Sequence, residues 1–192
     1  MSTAPHTTII AGPNGSGKTT FALKYLDLAK QPFLNADEIA KEISPEDVSK
    51  VQLTAGKEYF KYLKTLIGTH QSFIFESTLS GKGTSRIIQK LKEAGYTTSI
   101  NYLFLETPEA CISRVAERVS NGGHHVPKED VTRRYWRSKA NFWNIYKNQV
   151  DRWGIYINSN DNFEEVAFGQ AEEFEVSNKP KFEVFMQGVK HD

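Results

Sequence analysis

The sequence predicts an α/β fold built on a mainly parallel sheet flanked by helices. Three observations carry that expectation. Short apolar runs recur at Thr7–Ala11, Pro32–Asn35, Ser72–Phe75, Thr98–Leu105 and Gly154–Asn158. Segments of helical periodicity separate them. A glycine-rich turn, Gly12-Pro-Asn-Gly-Ser-Gly-Lys-Thr19, joins the first run to the first helix.

That turn matches G-x-x-x-x-G-K-[ST], a P-loop, in which backbone N–H groups point inward at phosphate oxygens. The residues it offers to a nucleotide are Gly12, Pro13, Asn14, Gly15, Ser16, Gly17, Lys18, Thr19 and Thr20. Lys18 adds a cation at the β/γ end, and the Thr19 hydroxyl is a ligand for Mg²⁺. The helix expected from Lys18 to about Ala29 turns its positive end to the same phosphates. A dinucleotide-binding turn is excluded, because Gly15-Ser-Gly17 is followed by Lys18-Thr-Thr20, with Thr20 where a third glycine is needed.

The second run ends at Asn35, and a short helix is expected over Glu38–Glu42. Ser44-Pro45-Glu46-Asp47 then combines an N-cap, a proline at the first helical position and early acids. Val48, Val51, Ala55, Tyr59, Leu63 and Leu66 follow at helical spacing, so the next helix is expected to reach Gly68. The third run ends at Glu76, and a helix over about Ser85–Ala94 stops at Gly95.

After the fourth run, a helix from Pro108 to about Ser120 ends at Asn121-Gly122-Gly123, and Pro127 opens a long one. Its Val131, Tyr135, Phe142 and Tyr146 share a stripe, which predicts core packing. Asn158-Ser159-Asn160 after the fifth run is either an adenine-contacting loop or an ordinary turn. A strand or hairpin over Val166–Val176 and a helix over Lys179–Val189 complete the chain. The expectation is one domain over 1–192, with a core of 7–160, a lid of 119–128 and an extension of 161–192.

The chain has 192 residues, 39% of them hydrophobic and 24% charged, and a formal charge of +1. That balance gives no support to nucleic acid as a partner. The one cysteine, Cys111, lies in an apolar helical segment and reads as a core residue. No apolar run approaches the ~18 residues of a membrane span, and no leader pattern precedes the first strand, so a cytoplasmic location is expected.

The chemistry points to phosphoryl transfer. No strand ends in four apolar residues and Asp, as an ATPase motor needs, and no Asn-Lys-x-Asp marks a GTPase. A small-molecule kinase needs positive charge at the transferring group and an acid to receive a hydroxyl proton. Asp37 and Glu76 follow the second and third strands, so a parallel sheet places both at its carboxyl edge beside the P-loop. Each keeps a plainer alternative: Asp37 as a helix cap, Glu76 as a partner of Lys82.

Arg114 and Arg118, four apart, share a helix face. Arg134 lies roughly 60° from Val131 on its helix and Arg133 about 160° away, so Arg134 is expected to face inward. Solvated faces are the alternative for all of these arginines. Lys82 and Arg86 are either diphosphate contacts or solvated helix-start charges. His124 and His125 sit in the lid, where contact with phosphate is expected and no metal site is.

These residues resemble the zeta toxin family of P-loop kinases, whose best-known members phosphorylate UDP-N-acetylglucosamine. The resemblance covers about residues 7–160. It rests on Gly12–Thr19, Asn35-Ala-Asp37-Glu-Ile39, Phe75-Glu-Ser-Thr-Leu79, and Arg114 and Arg118 before Gly122-Gly-His-His-Val-Pro127. It implies that Lys18 binds ATP phosphates, Asp37 is the base, Glu76 and the neighbouring Thr78 hold the sugar nucleotide, and Arg118 steadies the transferring phosphoryl group.

It also implies ATP and Mg²⁺ as cofactors, and an antitoxin protein as a partner. His124 stands where the toxins place a second lid arginine; a neutral imidazole cannot replace that charge, which leaves either Arg134 as a substitute or an altered activity. The leading expectation is an ATP- and Mg²⁺-dependent kinase acting on a UDP-amino sugar. A nucleoside or antibiotic kinase and a nucleotide-gated binding protein are the alternatives.

Overall fold

The computed structural model describes residues 4–26, 30–123 and 125–189. A seven-stranded sheet runs through it, formed by β1 (His6–Ala11), β2 (Phe33–Leu34), β3 (Phe73–Ser77), β4 (Thr97–Phe104), β5 (Arg152–Ser159), β6 (Asn162–Gln170) and β7 (Glu173–Val176). The strand order is β2-β3-β1-β4-β5-β6-β7. The four pairings among the first five strands of that order are parallel, and the last two pairings are antiparallel. β1 is buried from Thr7 to Ala11, the pattern of a central parallel strand covered on both faces.

The helices are α1 (Lys18–Tyr25), α2 (Ala36–Ile43), α3 (Gln52–Gly68), α4 (Gly83–Glu93), α5 (Pro108–Ser120), α6 (Lys128–Asn141) and α7 (Lys179–Gln187). α1 closes at Tyr25, because Leu26 turns to an extended conformation, and the expected end at Ala29 lies outside the described residues.

One helix start is corrected. The helix expected from Pro45 begins at Gln52, after a 3-10 turn over Val48–Val51. Ser44 is the end of α2 and not the cap of α3: it is extended, and its N–H donates to the Ala40 carbonyl. Pro45 follows a helix stop here, the other setting in which proline is favoured. The C-terminal segment is a hairpin and a helix, as expected, with β6 and β7 extending the sheet antiparallel to β5.

The aromatic stripe packs as expected, begun by α6 and carried on by a π-helical turn over Phe142–Tyr146. Val131, Tyr135, Phe142 and Tyr146 are buried, and Phe142 stacks on Tyr102 at 4.5 Å between centroids. Cys111 is buried, and burial pushes its thiol up to about 12.

Lys139 is a charge within this core, 1% exposed. Its Nζ donates to Tyr135 Oη at 2.9 Å and lies 4.6 Å from the Tyr135 ring centroid and 5.0 Å from that of Phe104. Burial pulls its pKa from 10.5 down to about 8. A depressed folded-state pKa means that stability present above pH ~10.5 is lost as the pH falls towards ~8. Lys139→Met is therefore expected to gain on the wild type by roughly 3 kcal/mol between pH 10 and pH 7. Melting temperatures of both proteins at the two pH values test this; a gap independent of pH rejects it.

Candidate active site

The P-loop leaves the end of β1 at Gly12, whose φ of 139° puts an added Cβ 2.1 Å from the Leu103 carbonyl oxygen. Gly17, φ 90°, is the N-cap of α1, where a Cβ would meet Asn158 Nδ2 at 2.4 Å. No side chain caps α1, so its first N–H groups point into the loop. Asn158, buried at the end of β5, donates from Nδ2 to the Ser16 carbonyl at 3.0 Å. Its Oδ1 accepts from the Asp161 N–H at 2.8 Å. The segment after Asn158 is therefore a turn, with Asn160 and Asp161 at positive φ, and Asn158 itself fastens the P-loop.

A cleft of about 460 Å³ lies over this loop at the carboxyl edge of the sheet. Asn14, Gly15, Gly17, Lys18, Thr19 and Thr20 line it. Gly12 and Pro13 shape the turn from behind, and their carbonyls accept from Lys18 Nζ at 3.0 and 3.1 Å. Ser16 is buried, and among the described residues its hydroxyl finds no hydrogen-bond partner.

Both acids reach the cleft. β3 lies beside β1 with Glu76 level with Ile10, and Glu76 Oε1 accepts from the Thr19 hydroxyl at 2.7 Å. Burial pushes its carboxyl above the ordinary range, against the attraction of Lys18. Burial likewise lowers the Lys18 ammonium, with Glu76 opposing. The alternative pairing of Glu76 with Lys82 is thus replaced by Thr19.

Asp37 sits in the first turn of α2. The cap of that helix is Asn35, whose Oδ1 accepts from the N–H groups of Asp37 at 2.8 Å and Glu38 at 3.4 Å. The carboxylate of Asp37 is free of the capping duty and lies 3.8 Å from Arg118 Nη1.

The arginines follow their helical phases. Arg114 and Arg118 on α5 both line the cleft, and Arg114 pairs with Asp161. On α6, Arg134 lines it too, with Nη1 donating to Asn14 Oδ1 at 3.3 Å and Nη2 lying 3.7 Å from Asp130 Oδ2. Arg133 points outward and pairs with Asp130 at 2.7 Å.

Two expected contacts fail to assemble. Lys82 and Arg86 are exposed and lie outside the cleft lining. After β3, Leu79 buries its side chain at φ 52°, its carbonyl accepts from Asn141 Nδ2 at 2.8 Å, and the Gly81 carbonyl accepts from Tyr146 Oη. Those bonds draw the 79–82 loop under α6, away from the phosphate side. Thr78 does line the cleft, its carbonyl held by Ser138 Oγ at 2.6 Å. His124 lies outside the described residues.

Asn14, Asn35 and Asp161 line the cleft although sequence reasoning gave Asn35 and Asp161 no role. The signal for Asn35 was present: Asn followed by Ala-Asp-Glu is a helix-start pattern. Asp161 carried none, because it reaches Arg114 through the β5–β6 turn. Among the described residues no group of three or more His, Cys, Asp or Glu side chains is arranged to hold a metal ion. None of the described helices is long and apolar enough to cross a membrane.

The sequence and the fold have known counterparts. A family model described as Zeta toxin matches residues 1–167. A protein of Haemophilus influenzae, itself described as uncharacterized, is 33% identical over 124 residues, 65% of this chain and 88% of that protein. Among solved structures, AvrRxo1-ORF1:AvrRxo1-ORF2 with sulphate ions gives a TM-score of 0.77 at 17% identity, covering 93% of this chain and 62% of that one. The same complex with ATP gives 0.76 at 18% identity, again over 93% and 62%. This chain therefore spans less than two thirds of that relative. The PezAT chromosomal toxin-antitoxin system of Streptococcus pneumoniae gives 0.64 at 17% identity, over 98% of this chain and 87% of that one. At these identities the structural likeness concerns the fold.

Proposed function

The chain belongs to the zeta toxin family, and from that premise we propose that it is an ATP-dependent phosphotransferase acting on a hydroxyl of a small molecule. The observation that carries this reading is the convergence of Lys18, Asp37, Glu76, Arg118 and Arg134 on one cleft over an uncapped helix start. A protein that only bound Mg-nucleotide would have a use for Glu76 but none for Asp37 there.

In this reading the P-loop N–H groups and Lys18 hold the phosphates of ATP, and Arg114 borders them. Asp37 takes the proton from the acceptor hydroxyl as that oxygen bonds to the γ-phosphorus. The bond from that phosphorus to the β–γ bridging oxygen breaks, and ADP leaves. Arg118 and Arg134 meet the charge spread over the equatorial oxygens. Both now face carboxylates at partly exposed sites, where a pair is worth only about 0–1 kcal/mol, so exchange for phosphate is easy.

The donor set fits Mg²⁺. The Thr19 hydroxyl and Glu76 carboxylate are hard oxygen donors 2.7 Å apart beside the phosphate cradle. They would hold the ion, and a bound Mg²⁺ would neutralise charge on the β- and γ-phosphates. Glu76 thus serves the metal as well as the acceptor in this reading.

The finer expectations are proposals of the same reading. A UDP-amino sugar rests on the family resemblance, since Lys82 and Arg86, offered as its diphosphate contacts, lie outside the cleft. An antitoxin partner rests on the relatives, PezAT being described as a toxin-antitoxin system. A cytoplasmic location, where ATP is available, belongs with them.

Mg-ATP is expected to raise the melting temperature by binding the folded state, and Lys18→Ala is expected to remove most of that shift. Differential scanning fluorimetry with and without Mg-ATP measures it. An unchanged shift in the variant defeats the nucleotide assignment.

A further inference from the structure

Ser138 is a polar residue in the interior of α6, fully buried and outside the lining of the cleft. A serine inside a helix often bonds back to a carbonyl of the preceding turn. This hydroxyl reaches across to two other elements instead. It donates to the Thr78 carbonyl at 2.6 Å and accepts from Tyr102 Oη at 2.9 Å. A hydroxyl has one proton, so the bond to Thr78 uses it and the bond with Tyr102 has to run inward. Burial holds the Tyr102 phenol well above its ordinary range, which keeps that donor protonated. The relay therefore runs in one direction, from Tyr102 through Ser138 to Thr78.

Both ends of the relay belong to the walls of the site. Tyr102 on β4 and Ser77 on β3 are each level with Ala11 on β1, so the three form one row at the foot of the P-loop. The Gly12 N–H donates to the Ser77 carbonyl at 3.2 Å. Either side of Ser77, Thr78 lines the cleft and Glu76 accepts from Thr19. The strand end that carries Glu76 and Thr78 is thus tied to the P-loop by one bond and to α6 by another. Arg134 lies on α6 four residues before Ser138, on the same helix face, and lines the cleft. The bond from Ser138 to Thr78 therefore sets how far Arg134 stands from Glu76 and Thr78.

The fold alone has little use for a hydroxyl here. Alanine suits a helix interior better than serine, and an apolar pair in place of Ser138 and Tyr102 would leave less to satisfy. Asn141, three residues on, already holds the same loop through the Leu79 carbonyl at 2.8 Å. We propose that Ser138 is a positioning residue: through Thr78 it holds the strand end bearing Glu76 in register with Arg134, and so sets the alignment in which the phosphoryl group is transferred. The proposal rests on the phosphotransferase reading above.

Stability and alignment can be separated. Ser138→Ala loses the bond to Thr78 and orphans the Tyr102 phenol. Tyr102→Phe also takes a buried hydrogen bond from the core, but it leaves Ser138 a proton for Thr78 and keeps the ring stacked on Phe142. The double variant Ser138→Ala/Tyr102→Phe removes the orphaned phenol without restoring the bond to Thr78.

The test is transfer from γ-labelled ATP with Mg²⁺, with UDP-N-acetylglucosamine, monosaccharides, nucleosides and water offered as acceptors, and kinetics taken on the one that gains label fastest. Ser138→Ala is expected to lower kcat about 10-fold or more, with KM for Mg-ATP within about 2-fold of wild type and the Mg-ATP melting shift retained. Tyr102→Phe is expected to melt earlier than wild type yet keep kcat within about 2-fold. The double variant is expected to regain melting temperature over Ser138→Ala and none of the lost kcat. An undiminished kcat in Ser138→Ala, an equal loss in Tyr102→Phe, or a kcat that returns with stability in the double variant each overturns this assignment and leaves the phosphotransferase standing. A wild type that binds Mg-ATP and passes label to no acceptor overturns the phosphotransferase reading, and this assignment with it.

Discussion

Arg118→Ala and Arg134→Ala are each expected to lower turnover about 10³-fold at saturating Mg-ATP, while Arg133→Ala stays near the wild-type rate. The argument is geometric. Arg134 lines the cleft and reaches Asn14 of the P-loop, whereas its sequence neighbour Arg133 points to solvent and pairs with Asp130. Only the inward pair can meet charge that develops on the transferring phosphoryl group. Arg134→Lys is expected to recover only part of the loss, because an ammonium keeps the charge but not the planar fork. Steady-state rates with an acceptor found to take label from γ-labelled ATP check this. Equal losses at Arg133 and Arg134 would mean that neither acts on the phosphoryl group.

Arg134 also shows what the sequence made legible. Its inward direction followed from Val131 and Tyr135, both buried, because helical phase is a local property and one buried stripe sets the whole helix. The P-loop, the strand before it and the Pro108–Ser120 helix were legible for the same reason: each is specified by neighbours in the chain.

What escaped depends on partners far away in sequence. Glu76 meets Thr19 because β3 pairs with β1 in a register that sets Glu76 level with Ile10. A search for four apolar residues and Asp passed over it, since Phe73-Ile-Phe offers three residues and then Glu. Lys82 and Arg86 were misplaced because Asn141 and Tyr146, some sixty residues on, decide where the 79–82 loop goes.

Ser44-Pro45 failed differently. Serine before proline marks a helix start, but a proline just past a helix marks its end, and local sequence does not choose between them. Packing chose: α2 ends at Ser44, and a 3-10 turn carries the chain into α3. The same ambiguity hid the cap of α2, since Asn35 and Asp37 are both capping residue types.

The assignment of that cap to Asn35 makes the base testable without disturbing the helix. Asp37→Asn removes the carboxylate and leaves the α2 cap in place, because the capping oxygen belongs to Asn35. Turnover is expected to fall by about 10² or more, with the Mg-ATP melting shift preserved, since an amide cannot take the hydroxyl proton. Asn35→Ala supplies the contrast: it should lower stability by ~1 kcal/mol through the lost cap and impair turnover by displacing Asp37. A change in the Asp37→Asn rate with no change in melting temperature therefore isolates proton transfer from helix integrity. Removing the carboxylate also takes away the partner 3.8 Å from Arg118, which favours phosphate binding and works against the predicted loss. A fall in rate despite that gain would identify Asp37 as the base, and phosphate transferred at the wild-type rate by Asp37→Asn would show that this carboxylate takes no proton in the reaction.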